Sequence, residues 1–318
     1  MTGARTIVVL DGLFDDLDLE QKVAADRGWS VARWDGSDVM LRAAEVVVHV
    51  RTKIDRAMLD RLPACRVVGR FGTGLDTVDR TAAAERGLRV VGIRDYCIPE
   101  LASHTLALAF ALDRRVDAIR GGRLSADASW QEVAAKQPMP GRTTATVIGL
   151  GSIGKAVTRA LLALGIDVRV VTEHGADEAR SLGASVATLE QGLAGAGFVF
   201  LHAALSAETA GMIGRERLAR MSPDTILVNT ARIGLMDEAA VATALAGGKL
   251  AGLGLDAKLV ADSPLRRYVG DERMLLTPHV GWYSERSARE LRRRTIQESI
   301  DAYEAVGGVR TEKVGGTR

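Results

Sequence analysis

Short apolar runs separated by amphipathic stretches recur along most of the chain. In the first third, the runs at 6–10, 46–50, 66–69 and 89–91 predict strands, and 17–27, 54–61 and 77–86 predict helices between them. Later runs at 145–148, 167–172, 198–202, 225–229, 250–256 and 274–277 predict a second series of strands, and 284–306 predicts a final helix. Because strands that alternate with helices are typical of parallel sheets, we predict an α/β protein.

A long apolar helix and a polar arm separate the two series. Residues 97–119 are mostly apolar at helical spacing, whereas 121–142 are polar and include Trp130, Pro138 and Pro140. We interpret this arm as a segment that protrudes between domains and covers a partner subunit. We therefore expect a homodimer.

A glycine-rich turn opens the second series. The apolar run that ends at Ile148 leads into Gly149, Gly151, Ser152, Ile153 and Gly154, and a helical pattern follows. Gly149 permits a tight turn, Gly151 lets backbone amides approach a pyrophosphate, and Gly154 allows close packing of helix on strand. Glycine-rich turns also serve as plain connectors. The strand before this one and the helix after it favour dinucleotide binding.

Composition narrows the classes of protein that the chain can belong to. A length of 318 residues suggests about two domains, and 47% hydrophobic residues are typical of a globular protein. The sequence has no apolar span of membrane length and no signal-peptide pattern at 1–11, and a net charge of +2 indicates neither a nucleic-acid nor a membrane surface. Cys65 and Cys97 form no metal-ligand spacing and no disulfide framework. We expect a cytoplasmic protein without a metal.

One basic cluster could suggest nucleic-acid binding. The run Arg292-Arg293-Arg294 lies in the final predicted helix together with Glu285 and Glu290. Opposite charges at helical spacing are typical of a solvated helix face, and we interpret the cluster in that way.

Two loops of the first series carry candidate substrate ligands. Arg51 follows the 46–50 strand, at the carboxyl end where open α/β sheets bind ligands, and Thr73 and Gly74 belong to the glycine-rich loop 70–76. These loops could form a carboxylate-binding rim. They could equally be tight turns with a solvated arginine. The spacing alone leaves both interpretations open.

Five separated motifs now coincide with one family. They are Gly-Arg-Phe-Gly-Thr-Gly-Leu-Asp at 69–76, the glycine turn at 149–154, Leu-Val-Asn-Thr-Ala-Arg at 227–232, Gly-Leu-Asp at 254–256 and Thr-Pro-His at 277–279. Along nearly its whole length the chain resembles the D-isomer-specific 2-hydroxyacid dehydrogenases. Residues 95–98 and 279–285 are most similar to the branch of this family that contains the C-terminal-binding proteins.

The resemblance implies a two-domain fold. In this family a doubly wound Rossmann domain, which binds NAD, is inserted into a flavodoxin-like α/β domain, which binds the substrate. For this chain, the expected NAD-binding domain is 98–284 and the expected substrate domain is 1–97 plus 285–318.

The same resemblance assigns the catalytic positions. Arg232 matches the arginine that binds the substrate carboxylate, and His279 matches the general acid. The family places a glutamate that holds this histidine five residues after the aspartate of Gly-Leu-Asp. Here that position is Ala261, so either Asp262 replaces the glutamate or no carboxylate supports the histidine.

Cofactor ligands follow from the resemblance as well. The residue expected to bind the adenosine ribose is Thr172, with Glu173 beside it, where the family usually has an aspartate. A carboxylate here favours NAD over NADP, although NADP stays possible. Asn229, Thr230 and Ala231 should line the cofactor, and Asp256 should accept from its carboxamide. Trp282 should contact the cofactor or wall the substrate pocket, or else pack in an interface.

The sequence thus predicts an NAD-dependent enzyme that interconverts a small 2-keto acid and a D-2-hydroxy acid. The missing glutamate leaves an alternative open, an NAD(H)-sensing interaction protein or a weakly active member of the family.

Overall fold

The structure is a computed structural model that describes residues 5–116, 127, 129–132 and 141–308. Most of the predicted arm at 121–142 lies outside these residues, although Trp130 is described and is 75% exposed. The chain divides into two compact units. Unit 1 takes its described residues from Met1–Tyr96 and Ser284–Arg318, and unit 2 takes them from Cys97–Tyr283.

Unit 1 is a parallel five-stranded sheet with helices. Its strands follow the order β2-β1-β3-β4-β5, the doubly wound order of flavodoxin-like sheets. The strands are β1 (Arg5–Val9), β2 (Trp29–Arg33), β3 (Val46–His49), β4 (Val67–Arg70) and β5 (Arg89–Gly92). The helices are α1 (Asp18–Ala25), α2 (Asp38–Ala43), α3 (Arg56–Asp60), α4 (Arg80–Glu85) and α11 (Glu285–Gly308).

Unit 2 is a parallel seven-stranded sheet in the order β12-β11-β10-β9-β6-β7-β8. The strand order reverses between β6 and β9, which is the switch point where Rossmann folds bind dinucleotides. The strands are β6 (Thr144–Ile148), β7 (Asp167–Val171), β8 (Ser185–Val186), β9 (Phe198–Leu201), β10 (Ile226–Asn229), β11 (Gly252–Asp256) and β12 (Met274–Thr277). The helices are α5 (Ile98–Asp113), α6 (Ser152–Ala163), α7 (Ala176–Ser181), α8 (Leu189–Leu193), α9 (Arg215–Leu218) and α10 (Glu238–Ala246).

Both faces of the unit 2 sheet are buried, which explains its continuous apolar strands. Successive residues point to opposite faces, so Phe198 and Phe200 belong to one core cluster, whereas Val199 and Leu201 belong to the other. The first cluster contains residues of α5 and α6, and the second contains residues of α10. Helices therefore cover both faces, as the α/β prediction requires.

Helix α5 packs on a strip of glycines in β11. A Cβ atom built on Gly252 would lie 3.3 Å from Leu112, and one built on Gly254 would lie 3.0 Å from Leu108 Cβ. Four residues of helix rise about 6 Å and two residues of strand about 6.6 Å. The ridge of every fourth helical residue thus stays in step with alternate strand residues. Larger side chains at the two glycines would push the helix away.

Two strands, β2 and β8, are not predicted by the pattern of apolar runs. Both are edge strands, at one end of the first and of the second sheet respectively. An edge strand has one neighbour only and needs fewer apolar residues; β8 contains two residues, Ser185 and Val186. The observed unit boundaries are 96/97 and 283/284, against the expected 97/98 and 284/285. No helix among the described residues is long and apolar enough to cross a membrane.

The interpretation of the basic cluster in α11 as a solvated helix face is correct for two of its three arginines. Arg293 and Arg294 lie on a charged helix face and pair with Glu290 and Glu298. Arg292, by contrast, is not solvated. Its side chain is 12% exposed, and its Nε and Nη2 atoms lie 2.8 and 2.6 Å from the carboxylate of Glu20, which is 1% exposed.

The pair between Arg292 and Glu20 joins α1 to α11, two segments of unit 1 that are far apart in sequence. Arg292 Nη2 also donates to Asp16 Oδ1 at 2.6 Å. The guanidinium stands 4.6 Å from the centre of the Phe14 ring. The ion pair is therefore buried and doubly hydrogen-bonded.

We predict that Arg292→Leu lowers the free energy of unfolding by about 3–5 kcal/mol, because it leaves the buried Glu20 carboxylate unpaired. Arg293→Leu is the matched control on the exposed face and should cost less than about 1 kcal/mol. Replacing Glu20 and Arg292 together by leucine should recover most of the loss in urea denaturation. A single Arg292→Leu variant as stable as the control would contradict this account.

Candidate active site

Five strands of unit 2 end in one row. Ile148, Leu201, Asn229, Leu255 and Leu276 are successive register partners across β6, β9, β10, β11 and β12. Residues that follow this row in the chain therefore line the carboxyl edge of the sheet. With strands about 4.8 Å apart, the row spans about 19 Å from β6 to β12. Ligands of open α/β sheets bind at this edge.

The glycine turn between β6 and α6 has the shape of a dinucleotide cradle. Gly149 has a φ of +96°, and a Cβ there would lie 2.6 Å from Ala203 N. A Cβ on Gly154 would lie 2.1 Å from Gly149 O, so neither position accepts a side chain. Gly151 has open space around its α-carbon. The first amides of α6, at Ser152 and Ile153, would face an anion bound at the helix N-terminus. These residues fit a pyrophosphate.

A groove of about 900 Å³ adjoins this turn. It is lined by the glycine turn, by the residues that follow β7 and by parts of 186–191 and 203–212. The Thr172 hydroxyl donates to the His174 carbonyl, so its proton is engaged within the loop. Glu173 is exposed, and among the described residues no group hydrogen-bonds or pairs with its carboxylate. Its acceptors are available to a ligand in the groove.

The turn after β10 carries Arg232. Asn229 fixes this turn, since its Nδ2 donates to Arg232 O at 2.8 Å and its Oδ1 accepts from Ala231 N at 3.0 Å. The Thr230 hydroxyl lies 2.7 Å from that of Thr105 on α5. Arg232 is half-buried, and one Nη1 contact is to Ala231 O at 2.9 Å. The guanidinium therefore emerges from a rigid backbone turn.

His279 lies in the loop after β12 and has a φ of +61°, which is uncommon for a residue with a side chain. Its amide donates to Thr277 O at 2.9 Å. Asp256 at the end of β11 holds the next residues: Oδ1 accepts from Val280 N at 2.8 Å, and Oδ2 accepts from Gly281 N at 2.9 Å. Asp256 was expected to accept from the cofactor carboxamide. Its two oxygens are engaged with the loop that carries His279.

The segment 257–263 does not bring a carboxylate to the histidine. Arg266 binds the carbonyls of Leu259 and Val260 at 2.9 and 2.7 Å, and Ser263 donates to Glu238. Ala261 lies in an exposed turn of this anchored segment.

The exposed Asp262 lies in the same turn. In the part of the chain that the structure describes, no hydrogen bond or ion pair reaches the Asp262 carboxylate or the His279 ring. Trp282 is half-buried and packs edge-to-face on Tyr283, with ring centres 5.6 Å apart.

Unit 1 presents the other predicted ligands at its own carboxyl edge. Arg51 is exposed, in a loop that Asp11 fixes by accepting from the amides of Val50, Arg51 and Thr52 at 2.7, 2.7 and 3.1 Å. Burial opposes ionisation of Asp11, but these amides outweigh burial and hold the pKa of its carboxyl below the usual value.

The glycine-rich loop of unit 1 is also well anchored. Thr73 is exposed and its hydroxyl donates to Ile93 O at 2.7 Å. Gly74 follows it and is half-buried. Within this loop Gly72 has a φ of +141°, so the turn requires glycine there. The loop offers backbone amides, while the Thr73 hydroxyl proton is already used.

The comparisons with known proteins agree with this geometry. The family model for the D-isomer specific 2-hydroxyacid dehydrogenase, NAD binding domain, matches residues 106–281. The glycerate dehydrogenase of Methylorubrum extorquens is 30% identical over 274 residues, which cover 83% of this chain and 84% of that protein. The chain belongs to the D-isomer-specific 2-hydroxyacid dehydrogenase family. NAD is the cofactor of its Rossmann unit.

The chain is also similar to a longer enzyme of this family and to a solved structure. The D-3-phosphoglycerate dehydrogenase of Mycobacterium tuberculosis is 35% identical over 308 residues, which cover 89% of this chain. They cover 56% of that enzyme, so the chain spans about half the length of the phosphoglycerate dehydrogenases it matches. The crystal structure of D-lactate dehydrogenase from Aquifex aeolicus with NAD and lactic acid has a TM-score of 0.83 and 22% identity, and covers 98% and 100% of the two chains. At that identity it supports the fold.

Several residues that build the site are not predicted from the sequence. His104 and Thr105 lie on α5; His104 hydrogen-bonds to Thr277 at the end of β12, and Thr105 hydrogen-bonds to Thr230 in the loop after β10. Asp11 fixes the Arg51 loop. The signal for the first two was present, because polar side chains interrupt an apolar helix at Ser103-His104-Thr105. The described residues contain no cluster of three or more histidine, cysteine, aspartate or glutamate side chains that could hold a metal.

His202 follows β9 at the same edge as Gly149, and its Nε2 atom is buried without a hydrogen-bond partner among the described residues. Burial lowers the pKa of its imidazole from 6.5 to about 4. The folded protein therefore resists a proton that the unfolded chain accepts below pH 6.5.

We predict that the free energy of unfolding falls as pH drops from 6.5 towards 4, and that His202→Leu reduces this loss by up to about 3 kcal/mol. His174→Leu is the control, since it removes an exposed histidine, one that lines the groove beside the glycine turn. Urea titrations between pH 4 and 8 measure the effect. A His202→Leu variant with the pH dependence of the wild type would show that the folded protein does not exclude this proton.

Proposed function

We propose that the protein catalyses the NAD-dependent interconversion of a small 2-keto acid and a D-2-hydroxy acid. The observation that carries this proposal is the common edge of unit 2. The glycine cradle after β6, the Arg232 turn after β10 and the His279 loop after β12 all follow the same register row. A dinucleotide and a small acid can therefore reach one another there.

Arg232 and His279 supply the acid–base and binding chemistry. The planar guanidinium of Arg232 suits a carboxylate, because its paired N–H groups match the two oxygens, and its charge also polarises a neighbouring carbonyl. In the reducing direction, protonated His279 donates a proton to the carbonyl oxygen as it becomes a hydroxyl. In the oxidising direction the neutral ring removes that proton.

Unit 2 would hold the cofactor through its backbone and a few side chains. When bound, NADH supplies the hydride that reduces the keto carbon. The amides of Gly151, Ser152 and Ile153 would face its pyrophosphate, and Glu173 with Thr172 would face the adenosine ribose. Asn229, Thr230 and Ala231 would line the nicotinamide end of the row, with Trp282 on the loop after β12.

Unit 1 would contribute the remaining substrate contacts. We assign these to Arg51 and to the backbone of Thr73 and Gly74, since both loops follow strand ends and are anchored within the unit. The relatives are named for D-3-phosphoglycerate, glycerate and glyoxylate. Short 2-keto acids, with or without a phosphate, are therefore the first substrates to test.

A second function competes with catalysis, that of a protein that binds NAD(H) and signals through an interaction. The observation that favours it is the His279 ring, which among the described residues receives no carboxylate from the 257–263 segment. Turnover separates the two functions.

We predict that the protein oxidises NADH in the presence of pyruvate, glyoxylate, hydroxypyruvate or 3-phosphohydroxypyruvate. Arg232→Lys should lower kcat/KM for the keto acid on the order of a hundredfold, because lysine keeps the charge but loses the paired N–H groups. The Kd for NADH should stay the same. NADH binding without turnover of any of these acids would favour the signalling function, and full activity of Arg232→Lys would remove this residue from the mechanism.

We also predict that Glu173 sets the preference for NADH. A carboxylate at the ribose repels the extra phosphate of NADPH, so Glu173→Ala should lower the ratio of NADPH to NADH dissociation constants on the order of tenfold. Glu208→Ala is the matched control, because Glu208 lines the same groove and is engaged with Ser206. Fluorescence titration measures both constants. An unchanged ratio would show that Glu173 does not face the ribose.

A further inference from the structure

We propose that His104, on α5, is a positioning residue that fixes the His279 loop through Thr277 and Asp256. The proposal rests on the proposed function only in giving His279 its role as proton donor. The contacts that carry it lie wholly within unit 2. They connect a helical side chain, a strand end and the backbone of the loop.

The number of protons on each group determines the direction of the hydrogen bonds that Thr277 makes with Asp256 and His104. Thr277 Oγ1 lies 2.7 Å from Asp256 Oδ1 and 2.9 Å from His104 Nε2. A hydroxyl has one proton, and the carboxylate can only accept, so Thr277 donates to Asp256. The His104 Nε2 atom must then carry a proton and donate to Thr277. The ring is therefore held in the tautomer, or the charge state, that has hydrogen on Nε2.

Asp256 connects these hydrogen bonds to the backbone of the loop that carries His279. Its side chain is 2% exposed, and its oxygens accept from the amides of Val280 and Gly281, the two residues that follow His279. Bonds from neutral donors to a buried carboxylate are strong and directional. They hold the backbone on the carboxyl side of His279, while the 2.9 Å bond from its own amide to Thr277 O holds the other side.

Packing leaves the loop no room to relax. A Cβ on Gly281 would lie 2.8 Å from His104 Cδ2, 2.9 Å from Leu101 Cδ1 and 3.0 Å from Asp256 Oδ2. The α-carbon of Gly281 therefore rests directly on the His104 ring and on the carboxylate. His104 thus hydrogen-bonds to the end of β12 with one edge of its ring and packs on the loop with another.

The register between α5 and β11 brings His104 to this place. Leu112 faces Gly252 and Leu108 faces Gly254, and one turn earlier His104 comes within 3.9 Å of Asp256. The helix and the strand keep step because four helical residues and two strand residues advance by nearly the same distance. The residue four before Leu108 must face the end of the strand.

The consequence for His279 is that its orientation comes from the backbone. A positive φ is unfavourable for a residue with a side chain, so the conformation persists only where the surroundings impose it. Asp256 and its partners impose it here. Among the described residues no carboxylate contacts the His279 ring. The loop backbone therefore orients His279, as the glutamate of the family would.

Paired substitutions test the hydrogen bonds separately from the packing. Thr277→Val keeps the shape of the side chain but removes the hydroxyl, whereas Thr277→Ser keeps the hydroxyl. His104→Leu removes the donor, and His104→Gln keeps an N–H at a similar reach. Thr243→Val is the matched control, since the Thr243 hydroxyl donates to Ala239 O within its own helix, α10. The readouts are amide hydrogen exchange at Val280 and Gly281, kcat, and the Kd for NADH.

We expect Thr277→Val and His104→Leu to speed exchange at both amides on the order of tenfold and to lower kcat by a similar factor, with the Kd for NADH unchanged. Thr277→Ser and His104→Gln should restore most of both, and Thr243→Val should change neither. Exchange that stays slow in Thr277→Val and His104→Leu would overturn the proposal, as would a Thr277→Ser variant no better than Thr277→Val. If the wild type turns over no keto acid, the proposed function fails, and hydrogen exchange still decides the role of His104.

Discussion

The site depends on one packing constraint, the close approach of α5 to β11. Gly252 and Gly254 remove the side chains that would keep the helix away, and Leu108 and Leu112 fill the space. This register brings the first turns of α5 to the carboxyl edge of the sheet. From there α5 bonds through Thr105 to the loop after β10 and through His104 to Thr277, the last residue of β12, and the His104 ring packs on Gly281 in the loop that follows. One helix thus contacts both loops that carry the proposed catalytic side chains.

The chemistry is organised by backbone more than by side chains. Gly149 and Gly154 create the cradle because a Cβ at either position would strike backbone. Asn229 and Asp256 orient the turns that carry Arg232 and His279, and in unit 1 Asp11 does the same for Arg51. In each case a short polar side chain at or near a strand end accepts from or donates to the loop backbone. Such anchors cost little conformational entropy and hold the reacting groups in place.

Most of the fold and the dinucleotide turn could be predicted from the sequence. The alternation of strands and helices, the two sheets and the glycine turn follow from the periodicity of apolar residues and the spacing of motifs, because these features depend on local patterns. The edge strand β8 was missed because it contains two residues, and β2 was missed because Ser30 separates its buried Trp29 and Val31, so that no apolar run marks it. The burial of Arg292 was missed because its partner, Glu20, lies 272 residues away. The hydrogen bonds of His104 and the engagement of Asp256 depend on the packing of α5, which no local pattern reveals. The roles of the predicted site residues, Asp262 and Trp282 among them, stay predictions.

A crystal structure of the protein with NADH and a non-reacting 2-keto acid analogue would show whether Asp256 holds the His279 loop while the site is occupied. We expect that Asp256 still accepts from the amides of Val280 and Gly281 and that His104 Nε2 still contacts Thr277. We also expect the analogue to lie with its carboxylate on Arg232 and its carbonyl oxygen at the His279 ring. An Asp256 that has left the loop for the nicotinamide carboxamide, with His279 held by another carboxylate, would contradict it.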